Sequence, residues 1–167
     1  MPTTYDVVQS YTLGSGTKTI SFTSIPTTYT DLRLVFSGTC DDTGNDYLAM
    51  RFNDDSGANY WDRALQGDGT SATSGRSQDN FIFIGRRTMV STEPELHTVD
   101  IFSYANSSYK NCLTTSSMDH NSFGRVVYTS NLWYSTDAIN KITLTTPNIG
   151  RNFAAGSTAT LYGIKNA

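Results

Sequence analysis

Apolar and polar residues alternate with a period of two in nearly every apolar segment of the chain. That spacing puts one face of a strand in a core and the other in water. Lys18 to Ile25 sets Ile20 and Phe22 against Thr19, Ser21 and Thr23. Tyr29 to Ser37 gathers Leu32, Leu34 and Phe36 opposite Arg33 and Val35, and Tyr47 to Phe52 aligns Leu48, Met50 and Phe52. Further strands are predicted over Asp6 to Leu13, Phe81 to Ile84, Leu96 to Tyr104, Asn111 to Ser116, Arg125 to Tyr128 and Lys141 to Leu144. Turn compositions stand between them, among them Ser24-Ile25-Pro26 and Asn53-Asp54-Asp55-Ser56-Gly57. With a terminal strand this gives about ten strands at short spacing, the pattern of an antiparallel β-sandwich.

The terminal strand alternates Ala159, Leu161 and Gly163 with Thr160, Tyr162 and Ile164, so both of its faces carry apolar groups. Such a strand is expected inside a sheet or covered at an interface. Gln66 to Asn80, polar and holding Gly67, Gly69 and Gly75, reads as a long exposed loop. Trp133 to Asn140 is the one stretch that suggests a helix, and Ser135-Thr136-Asp137 supports no more than a single turn of it.

Composition agrees with strands. The 167 residues suit one domain, residues 1–167, and only 16% of them are charged. Thr favours strands, Ser and Asn favour turns, and the helix formers Lys, Glu and Ala are scarce. Ten Tyr and eight Phe supply ample material for burial. A net charge of −3 argues against a general nucleic-acid binder, which needs a basic stripe. No apolar run approaches the roughly 18 residues that cross a bilayer. Met1-Pro2-Thr3-Thr4-Tyr5-Asp6 lacks a signal peptide's basic and apolar regions, so synthesis in a cytoplasm is expected. Cys40 and Cys112 then read as buried thiols rather than a disulfide.

Chemistry is thinly represented. The acidic loops Asp41 to Asp46 and Asn53 to Gly57 offer oxygen ligands, and Asp54 with Asp55 form a weak calcium alternative. Asp, Asn and Gly are equally the residues of a tight turn. Glu93 and Glu95 flank Pro94 in what reads as a solvated loop, not a pair of glycosidase carboxylates. His97, next to Val99 and Ile101, and His120, before Asn121, read as structural or surface residues. The pair Arg86-Arg87 reads as solvated. No catalytic residue, metal ligand set or cofactor site is therefore predicted. Two aromatic doublets remain, Tyr60-Trp61 and Trp133-Tyr134, suited to core packing, to a subunit interface or to stacking on a glycan.

The block Asn152 to Lys165, Asn-Phe-Ala-Ala-Gly-Ser-Thr-Ala-Thr-Leu-Tyr-Gly-Ile-Lys, resembles a C-terminal signature of small virion proteins of tailed bacteriophages. Ile20 to Leu34, Arg51 to Tyr60, Asn131 to Trp133 and Ala138 to Leu144 are similar to further blocks of that family, in the family's order. Together they span roughly half the chain, whereas Leu96 to Asn121 and Gly67 to Asn80 carry no resemblance. The resemblance implies a jelly-roll-like sandwich in a virion: a non-enzymatic capsid decoration, cement or head-fibre protein. Its partners would be the major capsid or tail proteins, with a homo-oligomer, a trimer, expected. The alternative is a tail or fibre adhesin that recognises a host surface glycan.

Overall fold

A computed structural model describes residues 4–41, 47–85, 93–119, 123–147 and 151–165. Twelve strands account for the regular structure of these residues: β1 (Tyr5–Thr12), β2 (Thr19–Phe22), β3 (Asp31–Gly38), β4 (Ala49–Phe52), β5 (Tyr60–Gly67), β6 (Ala72–Asp79), β7 (Ile82–Phe83), β8 (Glu95–Phe102), β9 (Lys110–Asp119), β10 (Gly124–Trp133), β11 (Ile142–Thr145) and β12 (Thr158–Ile164). They form an eight-stranded sheet, β1-β12-β3-β8-β9-β10-β5-β6, and a four-stranded one, β2-β11-β4-β7. Every pairing is antiparallel.

The winding is that of a jelly roll. β1 pairs β12, β2 pairs β11, β3 pairs β8 and β4 pairs β7, the four pairs falling alternately in the two sheets. Two hairpins are added to this frame: β5-β6 between β4 and β7, and β9-β10 between β8 and β11. They pair with each other through β10 and β5 and extend the larger sheet beyond β8.

The core lies between the sheets and follows from the alternation. Leu32, Leu34 and Phe36 of β3 are fully buried, as are Met50 and Phe52 of β4, and Ile20 and Phe22 of β2 pack into the same cluster. β12 is interior to its sheet, flanked by β1 and β3, with Ala159 and Leu161 fully buried. Gly163 has a steric reason: a Cβ there would lie 2.4 Å from three ring atoms of Tyr29, which packs on the bare strand. A register shift between Val7 and Gln9 marks a β-bulge, and Val8 packs against the core.

Two expectations are corrected and a third is narrowed. Gln66 to Asn80 is not a loop but the end of β5 and all of β6, joined by a turn at Asp68 to Ser71. The Asp68 carboxylate accepts the Thr70 and Ser71 amides and hydroxyls, which holds it well below the usual carboxylate range, and Gly69 supplies φ +87°. β5 and β6 raise the strand count from about ten to twelve. Glu95 is not solvated: it opens β8, is buried, and meets His97 Nε2 at 3.1 Å. Past Trp133 there is no helix, only a bend in which Ser135 Oγ accepts the Asp137 amide at 3.1 Å. Asp42 to Asp46, Arg86, Arg87 and His120 lie outside the described residues. Cys40 and Cys112 are buried thiols outside any disulfide, and burial pushes the Cys112 thiol up.

Candidate binding face and groove

Strand alternation splits each aromatic doublet. Tyr60 and Trp133 are directly opposed on β5 and β10 and point inward. Their rings stack at 6.4 Å and 13°, and Phe52 lies 5.4 Å from the Trp133 ring. Both are tied to Asp55: the Trp133 indole N–H donates to Oδ2 at 2.7 Å, and the Tyr60 hydroxyl to the backbone carbonyl at 3.1 Å. These two residues are core, not contact surface. Trp61 and Tyr134, one position later in each doublet, are exposed.

Asp54 and Asp55 belong to the turn that fixes this arrangement. Asn53 and Asp54 adopt positive φ, 51° and 59°. Asn53 Oδ1 accepts the amides of Asn140 and Lys141, and Asp54 pairs with Lys141 Nζ at 2.8 Å. Asp55 is half-buried, which raises its pKa, yet the Trp133, Asn59 and Gly57 donors outweigh burial and hold the carboxyl below its ordinary value. Among the described residues no three His, Cys, Asp or Glu side chains gather as a metal site. The acidic pair serves turn and core here.

Trp61, Leu132 and Tyr134 form the apolar walls of a groove of about 660 Å³ on the outward side of β5 and β10. Asn59, Arg63 and Gln78 line it as well, so amide and guanidinium groups meet the aromatic wall. Tyr134 stacks on Tyr109 at 4.2 Å and 24°, and its hydroxyl beside Tyr109 pushes that phenol up. Tyr109 is positioned by its neighbour Lys110, a buried ammonium that donates to the carbonyls of Asn106 and Ser108.

The groove borders a wider surface. On the outward face of the larger sheet, Leu65, Leu96, Leu113, Val126 and Tyr128 are each between 42% and 56% exposed. Tyr128 stands opposite Leu65, while Val126 is separated from Leu96 by Ser117 alone. Arg33 and Asp100, opposite one another farther along, are joined by two hydrogen bonds of 2.6 and 2.7 Å, and this bond raises the guanidinium's pKa. These apolar side chains are interspersed with Thr and Ser, and Arg33 and Asp100 neutralise each other beside them. The inward side of the same strands differs: His97, Thr114, Ser116, Thr129 and Asn131 are all buried there.

Sequence reasoning found Trp61 and Tyr134 but missed the face. Its signal was present as apolar residues out of phase with the core: Leu96 and Phe102 against His97, Val99 and Ile101 in β8, and Leu113 against Cys112 in β9. A scan against protein-family models, a search of curated proteins and a search of solved structures each returned no match.

Proposed function

We propose that this chain is a non-enzymatic structural protein of a tailed-phage particle, of the capsid-decoration, cement or head-fibre type, held in place by protein–protein contacts. The observation that carries the reading is the outward face of the eight-stranded sheet, with its row of half-exposed Leu, Val and Tyr side chains. Exposed large apolar side chains grouped on one sheet face are a feature of contact sites. Its placement supports the proposal too. Leu96, Phe102 and Leu113 come from the stretch without family resemblance, while the resembling blocks build the frame beneath. Asp55 holds Trp133, Asn53 holds Asn140 and Lys141, and Tyr29 packs on Gly163. A shared frame with its own contact face is how members of one virion family would serve different partners.

Magnitude favours a repeated contact. Covering the remaining exposure of Leu65, Leu96, Leu113, Val126 and Tyr128 contributes about 1 kcal/mol each, before the cost of association is subtracted. A single copy would bind weakly, and several copies arranged by symmetry would bind firmly. A homotrimer seated on capsid or tail protein satisfies this requirement. The test is co-sedimentation of the purified chain with particles that lack it. Saturable binding at a fixed ratio to the major capsid or tail protein is expected, and an absence of binding to any particle fraction refutes the proposal.

A further inference from the structure

Arg63 on β5 and Arg76 on β6 are directly opposed in the antiparallel register and both are exposed. Like charges in that position repel and destabilise the pair of strands. Elsewhere on the same face the protein resolves the problem, since Arg33 is matched by Asp100. Here it does not. Arg63 donates only to the backbone carbonyl of Asp62, at 2.8 Å, and among the described residues neither arginine has a carboxylate partner. Asp62 lies next to Arg63 in sequence but turns inward, where it is buried and accepts the Ser77 hydroxyl. The whole chain has a net charge of −3, so the doublet does not follow from a basic composition.

Arg63 lines the groove of Trp61, Leu132 and Tyr134, which Asn59, Asp62, Gln78 and Ser130 also border, and Arg76 stands opposite Arg63 on the neighbouring strand. A flat aromatic wall next to short amide and hydroxyl groups matches a sugar, which offers a C–H face and a rim of hydroxyls. The groove volume of about 660 Å³ lies in the range of small-ligand sites. We infer that this groove binds an acidic saccharide, with a sugar ring on the Trp61 indole and the sugar carboxylate held between Arg63 and Arg76. This goes beyond the assembly role. It sits at the β6 edge of the larger sheet, away from the β8–β9 part of the apolar face, and gives the particle component an affinity for charged polysaccharide.

The test titrates the full chain with oligogalacturonate and with sialyllactose, each beside its neutral counterpart, methyl-esterified oligogalacturonate and lactose. Calorimetry gives affinity, and the change in tryptophan emission on binding, compared with that of Trp61→Phe, reports on Trp61, since the buried Trp133 emits in both. At least one acidic sugar should bind about tenfold more tightly than its neutral counterpart, with affinity falling as salt is added. Arg63→Gln and Arg76→Gln should each lower that affinity about tenfold. Arg76→Gln should leave the unfolding temperature unchanged or higher, since a repulsion is removed, and this separates lost binding from lost fold. Equal affinity for acidic and neutral sugars, no binding by any of them, or wild-type affinity in both variants would overturn the inference. So would polyglutamate binding as tightly as the sugars, which would make the site one for an acidic peptide.

Discussion

Replacing Asp55 by Ala probes the joint between turn, core and groove. Its carboxylate accepts three donors: the Trp133 indole at 2.7 Å, the Gly57 amide at 2.9 Å and the Asn59 amide at 3.0 Å. Gly57 is exposed and Asn59 half-buried, so both regain water at small cost. Trp133 is 2% exposed and does not. Stranding its N–H costs about 1–2 kcal/mol, and the other two bonds add about 1 kcal/mol between them, for a total of about 2–3 kcal/mol. At this chain length each kcal/mol moves the unfolding temperature by about 2–4 °C, so Asp55→Ala should lower it by about 4–12 °C. Calorimetric melting of the wild type, Asp55→Ala, Trp133→Phe and the double variant completes a cycle. With the indole already gone, Asp55→Ala should be milder by about 1–2 kcal/mol. Equal losses in both backgrounds would refute the joint. The pH dependence has a definite sign. The folded carboxyl titrates below its ordinary value of 3.8, so its contribution is complete above that value and is lost as pH falls through the folded pKa. The difference between wild type and Asp55→Ala should therefore be constant near neutrality and shrink only in acid.

Gly163→Ala should cost about 1–3 kcal/mol in urea unfolding, because the new Cβ meets the Tyr29 ring, and adding Tyr29→Ala should recover part of that loss. Both cysteines should resist a thiol reagent at pH 8 in the native protein and react together in denaturant, since Cys40 and Cys112 are buried and burial raises the Cys112 pKa. Leu113→Lys, which faces Asp100 across the strands, and Tyr128→Lys, both at exposed positions, should leave melting within about 1 kcal/mol of wild type while abolishing co-sedimentation with particles.

Much of the sandwich is legible in the sequence because its central strands write their burial into alternation. Leu32, Leu34 and Phe36 sit two apart on one buried face, and the two-faced apolar character of the last strand places it between β1 and β3. The β5-β6 hairpin is not legible for a physical reason. β6 is an edge strand with both faces largely exposed, so its order comes from backbone pairing and the Asp68 turn, and Ser, Gly and Arg suffice as side chains. Glu95 was misread because Pro94 punctuates the chain one residue before β8 begins. The doublets were visible as doublets, but which member faces out depends on strand phase, and the Arg63–Arg76 opposition depends on hairpin register. Neither quantity is carried by composition.

The claim that the outward face of the larger sheet is an assembly surface is tested most directly by imaging the particle at a resolution that traces this chain. Repeated copies around a symmetry axis are expected, with Leu96, Leu113, Val126 and Tyr128 covered by neighbouring protein. Copies that leave this face open to solvent and attach through another surface would contradict it.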